Sequence, residues 1–184
     1  VDFVPMITRI LETKPDCICI LRSAISQLPA IFKTAREQGF TGPIMYSMPT
    51  DIMYAKLAGD NITDVFGTGL YMDSPDLPEA TKKAIADGRA KYGQDLVSDS
   101  ILAYDQAMLL VQMIQKAQSI DPKVVEQTFE TLTNPGDLQS IFGPAHAGGA
   151  KTTGVNRMLV KPWPMARLVN GQGEMIGFST VDIP

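Results

Sequence analysis

The run Asp16-Cys17-Ile18-Cys19-Ile20-Leu21, followed by Arg22-Ser23-Ala24, decides the fold. Its apolar positions are consecutive rather than alternate, and a short run of that kind suits a strand covered on both faces, as in a parallel sheet. Two later runs repeat the pattern. Ile44-Met45-Tyr46 gives way to Ser47-Met48-Pro49, and residues 65–71 give way to Met72-Asp73-Ser74-Pro75. Helical stretches separate the three runs, so the reading is a right-handed β-α-β-α-β unit with its loops gathered at one edge. In open sheets of this class ligands bind beyond the carboxyl ends of the strands, which makes that edge the candidate site.

Working outward, Asp2 caps a first helix with Phe3, Ile7, Ile10 and Leu11 on one face. After the first strand, Ser26 is the expected N-cap of a helix whose buried stripe is Leu28, Ile31, Phe32 and Ala35, ended by Gly39. Pro49-Thr50 opens a further helix with Ile52, Met53 and Leu57 inward. A doubly wound unit normally opens on a strand, so a chain that opens on a crossover helix reads as the later part of something longer. From Ser74 the rhythm changes to successive helices over residues 75–92 and 99–118, then one opened by Asp121 and Pro122. The middle one is apolar on more than one face, which predicts burial on several sides and calls for a second lobe. The tail reads as strands over residues 157–161 and 165–169 flanking Pro162-Trp163-Pro164. A hairpin turn, Asn170-Gly171-Gln172-Gly173, then leads to residues 174–181.

Composition narrows the function. With 184 residues, 45% hydrophobic and 20% charged, the chain can bury a substantial core. A net charge of -4 without a basic patch argues against nucleic acid or an anionic membrane as partner. The apolar runs fall short of a bilayer span, and residue 1 opens no charged leader, so a signal peptide is either cleaved or missing from this stretch. Cys17 and Cys19 share one strand face, are poorly placed for a mutual disulfide, and read as buried free thiols. The methionines read as core filler, and Trp163 as a packing anchor. His146 reads as a solvated loop residue in a flexible stretch over residues 144–149. Gly67-Thr68-Gly69 lies within a strand and lacks the third glycine of a nucleotide loop. No cofactor or metal is expected. Ser23 and Ser47 have no histidine partner, no metal cluster or phosphate loop is present, and the chain reads as a binder rather than an enzyme.

Several segments, in their order and spacing, resemble the substrate-binding proteins of ABC importers for branched-chain amino acids, the type I periplasmic binding proteins. They are the Asp2-Phe3 helix before Lys14-Pro15-Asp16, then Ala35-Arg36-Glu37-Gln38-Gly39-Phe40, and Ala58-Gly59-Asp60. Ala103-Tyr104-Asp105-Gln106-Ala107, Phe142-Gly143-Pro144 and Val169-Asn170-Gly171 complete the set. The resemblance implies a partial α/β fold of that type. Residues 1–72 would be most of the second lobe without its first elements, residues 73–160 the helices and loop of the first lobe, and residues 161–184 the crossover and return hairpin. It implies a small solute bound in an interlobe cleft, delivery to a membrane ABC permease, and a periplasmic protein or an extracellular lipoprotein. By position it assigns the ligand to Arg22, Ser23 and Ala24, to Ser47 and Met48, and to the turn Ser98-Asp99 before the long helix.

The physical case for those residues stands beside the resemblance. Ser23 and Ser47 present hydroxyls and nearby backbone N–H groups at helix starts, a seat for a carboxylate, and Arg22 can pair with an anion in bidentate fashion. Helix capping and a structural salt bridge are the competing roles of Ser23 and Arg22. The acidic residue that amino-acid binders place near the second strand end has no counterpart before Asp51. An aromatic or aliphatic carboxylate or an amide therefore stands beside an amino acid as the expected ligand. Two alternative readings share the fold: a ligand-sensing domain of a receptor or regulator, and a doubly wound enzyme. Apolar surface is expected on the helices over residues 75–132 if they stand alone, so the chain reads either as a truncation or cleavage product or as one that pairs in a homodimer or with a swapped partner chain.

Overall fold

The computed structural model describes residues 2–20, 23–46, 63–94, 96–170 and 172–183. The chain forms two compact units, residues 1–74 with 164–177, and residues 75–163 with 178–184.

The first unit opens with α1 (Val4–Glu12), β1 (Ile18–Ile20), a 3-10 turn (Ile25–Gln27), α2 (Leu28–Glu37), β2 (Ile44–Tyr46) and β3 (Val65–Thr68). Later in the chain come β7 (Trp163–Val169) and β8 (Gln172–Ser179), and the sheet runs in the order β1-β2-β3-β7-β8. The first three strands are parallel, Ile18 registering with Ile44 and Ile44 with Val65, as the consecutive apolar runs predict. β7 returns antiparallel beside β3, pairing Val65 with Leu168 and Thr68 with Met165. The helix expected to follow Pro49-Thr50 lies outside the described residues.

The core of this unit is the predicted one. Ile7, Leu28, Ile31, Phe32 and Ala35 from the helices bury against Ile18, Ile44, Tyr46, Val65 and Leu168 of the sheet, with Phe3, Ile10 and Leu11 at its margin. Asp2 accepts the Val4 N–H at 2.9 Å at the start of α1. Ser26 is not the N-cap of α2. It lies in the 3-10 turn, and Gln27 occupies the cap position. Gly39 ends α2 at φ +87°, where a Cβ would be strained, and Phe40 N–H returns to the Ala35 carbonyl at 3.0 Å. Arg36, inside the Ala35-to-Phe40 segment, binds three carbonyl oxygens: Phe40 at 2.8 Å, Gly42 at 2.7 Å and Thr63 at 2.6 Å. Burial pulls its pKa down, and Asp64 pushes back.

Cys17 and Cys19 are exposed, against the expectation of buried thiols. The reason is one-sided cover. α1 and α2 pack on the face carrying Ile18 and Ile44, and alternation turns Cys19 and Met45 to the other face, where no described helix packs. The methionines are likewise not all core filler, with Met6 at 45% and Met45 at 47% exposure.

The second unit contains α3 (Glu79–Tyr92), α4 (Ser98–Ala117), α5 (Pro122–Thr131), β4 (Leu138–Ser140), β5 (Gly143–Gly148), α6 (Ala150–Thr153) and β6 (Met158–Val160). Asp121 caps α5 as predicted, accepting the Lys123 N–H at 2.8 Å, with Pro122 at the first position. The stretch expected to be a flexible loop around His146 is instead β5, the centre of an antiparallel sheet β4-β5-β6, with His146 half-buried opposite Val160. Ala145 and Ala147 are buried there, and the small side chain of Ala145 allows close packing against Leu109 and Leu138. α4 buries one face rather than several. Ile101, Leu102, Asp105 and Leu109 are covered, while Tyr104, Met108, Leu110 and Val111 are exposed. No helix among the described residues is long and apolar enough to cross a membrane.

Candidate functional site

Three parallel strands end on the same edge. After β1 the chain reaches Ser23 and Ala24 and then winds into the 3-10 turn, whose Gln27 N–H closes on the Ala24 carbonyl at 2.8 Å. Ser23 is half-buried, and its hydroxyl donates to Gln27 Oε1 at 3.3 Å, close to the limit of a useful bond. The hydroxyl can therefore re-aim at a stronger acceptor at little cost. Ala24 is exposed and contributes backbone only. The 3-10 turn runs straight into α2. Arg22, Ser47 and Met48 lie outside the described residues.

The edge also receives one end of β7. Because β7 runs antiparallel, its amino end comes to the carboxyl end of β3, bringing Met165 beside Thr68 and fixing Gly69 N–H on the Pro164 carbonyl at 3.0 Å. Thr68 and Met165 were not among the residues singled out from sequence. The alternating burial of residues 163–169 shows only in the structure, and the partner strand of that segment is encoded far away.

In the second unit, Ser98 and Asp99 are not a turn before the long helix but the first turn of α4, with extended Val97 as N-cap. Ser98 is buried at 2% exposure and Asp99 is exposed. An acid in the first turn complements the helix dipole, which gives Asp99 a structural role of its own.

The second unit also holds a fully buried ion pair. Lys161 Nζ lies 2.8 Å from Asp105 Oδ2, both side chains at 0% exposure. Asp105 Oδ1 accepts the Ser140 hydroxyl and the Ile141 N–H, each at 2.8 Å. The Lys161 ammonium sits 4.7 Å from the Phe142 ring centroid and 4.0 Å from that of Trp163, so its remaining protons face aromatic π-clouds. Desolvation lowers its pKa below the usual lysine value, and the hydrogen bond and charge of Asp105 oppose that shift. Trp163 is thus the packing anchor expected of it. The two charges are paired with each other and Asp105 takes three donors from within the cluster, the arrangement of a structural core.

A family model described as periplasmic binding protein matches residues 1–172 of the chain. The fold is shared with several solved structures. The leucine-binding protein LivK of Thermotoga maritima superposes with a TM-score of 0.70 at 22% identity, over 96% of this chain and 48% of that one. LivJ of Streptococcus pneumoniae, a branched-chain amino acid transporter substrate-binding protein in complex with isoleucine, gives 0.69 at 16% identity, over 98% and 49%. An ABC transporter solute-binding protein of R. palustris in complex with benzoate gives 0.64 at 18% identity, over 98% and 48%. The chain thus spans about half the length of these structures. No curated protein matches it in sequence.

Proposed function

Because the chain belongs to the periplasmic binding protein family, matching its model over residues 1–172, we propose that it binds a small solute for an ABC importer. The solute is an amino acid or an aromatic or aliphatic carboxylate or amide, and the docked protein hands it to the membrane permease from the periplasmic side. The reading rests above all on one observation: three parallel strands in register end at one edge, with the Ser23 hydroxyl after the first of them. Ser23 would take the carboxylate, with Arg22 as counter-charge and Ala24, Ser47 and Met48 completing the rim. Ser98 and Asp99 are assigned to the ligand from the second unit by family position alone. The neighbours' own ligands, isoleucine and benzoate, define the two chemical arms.

Thermal melts of the full chain with leucine, isoleucine, benzoate and benzamide test this. A true ligand at 100 times its dissociation constant adds about 2.7 kcal/mol of stability. A shift with isoleucine but not benzoate assigns the amino-acid class, and the reverse assigns the aromatic acid. Binding that survives both Ser23→Ala and Arg22→Ala unchanged would remove the strand-end rim as the site.

A further inference from the structure

Three sulfur-bearing side chains, those of Cys17, Cys19 and Met45, are exposed on the first unit's sheet, on the face that no described helix covers. Cys17 and Cys19 stand two residues apart along β1 and its entry, so their side chains project to the same side. Cys19 is the registered partner of Met45 in the parallel β1–β2 pair, and registered neighbours share a face. Burial agrees: Ile18 and Ile44 point into the helix-covered core, while Cys19 and Met45 are exposed on the other side. Both cysteines are free and exposed, and Met45 keeps 47% of its surface in water in the middle of a sheet.

Strand geometry decides what the three can do. Residues two apart on a strand are separated by about 6.6 Å and adjacent strands by about 4.8 Å. A disulfide requires Cβ atoms only about 3.5–4.5 Å apart, so Cys17 and Cys19 stay thiols while the strand is intact. A metal–thiolate bond of about 2.3 Å on each side, by contrast, lets two sulfurs at this spacing close on one ion from opposite directions. Met45 reaches the same point through three rotatable bonds. Thiolate and thioether ligands select soft cations, whereas harder ions want nitrogen or oxygen. Among the described residues no group of three His, Cys, Asp or Glu side chains could supply such a harder set.

We propose that Cys17, Cys19 and Met45 form a site for one soft d10 cation of the Cu(I) class, on the sheet face rather than at the strand-end rim. Binding exchanges two thiol protons for one monovalent cation, with no change of oxidation state, and leaves the two thiolates and the metal with a net single negative charge. The thioether occupies the third position and carries no proton.

The test is an anaerobic titration of the reduced full chain with Ag(I), and with Cu(I) buffered by bathocuproine disulfonate. The expected result is one ion per chain, two protons released per ion, and an ultraviolet thiolate-to-metal band. Saturating metal should protect both cysteines from iodoacetamide together. Cys17→Ser and Cys19→Ser should each weaken binding by about 100-fold or more, because each removes a second bond that chelation makes intramolecular. Met45→Leu keeps the apolar bulk, leaves the melting temperature unchanged, and should weaken binding severalfold. Two ions per chain, one thiol protected without the other, or wild-type affinity in Cys19→Ser or Met45→Leu would overturn the proposal.

Discussion

Replacing Lys161 by methionine isolates the part played by the buried charge in the second unit. Asp105 has three donors, Lys161 Nζ, the Ser140 hydroxyl and the Ile141 N–H, and the substitution leaves two of them in place. Methionine also fits between the Phe142 and Trp163 rings that now hold the ammonium. Breaking a buried pair from one side costs about 3–5 kcal/mol, and the retained donors put Lys161→Met at the low end. Asp105→Ala strips the acceptor from an ammonium, a hydroxyl and an amide at once, each orphaned donor costing about 1–3 kcal/mol, so it is the more damaging change. Urea unfolding followed by the fluorescence of Trp163, the single tryptophan, reads the network directly. For a chain of this size about 3 kcal/mol lowers the melting temperature by about 6–12 °C. The pH dependence has a definite sign. Lys161 binds its proton less tightly in the fold than its ordinary value of 10.5, chiefly through desolvation. The unfolded chain therefore holds more protons between the lowered folded pKa and 10.5, and this group's contribution to stability rises with pH through that window and is flat outside it. Lys161→Met should abolish that rise. A loss within about 0.5 kcal/mol of wild type, or Lys161→Met proving worse than Asp105→Ala, would refute an acceptor-centred network.

In the first unit, Arg36→Met removes the bonds to the Phe40, Gly42 and Thr63 carbonyls and should cost about 2–4 kcal/mol in urea unfolding. Arg36→Lys should recover little of it, because a single ammonium cannot span the three carbonyls as the planar fork does. Gly42→Ala would bring a Cβ within 2.6 Å of the Asp16 carbonyl oxygen and 2.7 Å of the Phe40 ring, and should lower stability by about 1–3 kcal/mol by the same measurement. Ser23→Ala should leave the melt of the free protein unchanged and weaken solute binding by about 1 kcal/mol, roughly fivefold by calorimetry. Asp99→Asn should lower the melting temperature slightly, by about 0.5 kcal/mol of lost dipole compensation, with the difference shrinking in high salt.

What could be read from the chain follows the range of the interactions. The stripe of α2 was legible residue by residue, since Leu28, Ile31, Phe32 and Ala35 repeat at the helical period and all four are buried. The parallel order of β1 to β3 was legible from the rhythm of strand and helix. β5 was not, because Gly143-Pro144-Ala145-His146-Ala147-Gly148 carries the residues that usually mark a loop. Its strand exists through pairing on both sides, and the small side chain of Ala145 allows the packing against Leu109 and Leu138. The cysteines were misread for a different reason. A consecutive apolar run states that a strand has no polar face, not that both faces are covered. Lys161 shows the limit most clearly: a lysine between Val160 and Pro162 gives no local hint of Asp105, yet both side chains are fully buried as a pair. The candidate site divides along the same line. Ser23 follows from a strand, a turn and a helix start that adjoin in sequence, whereas Met165 reaches the edge beside Thr68 only because β7 returns antiparallel to β3. A rim assembled from such distant segments takes its shape from the sheet, so substitutions in β7 that preserve alternation should alter solute binding without touching any residue that local pattern would single out.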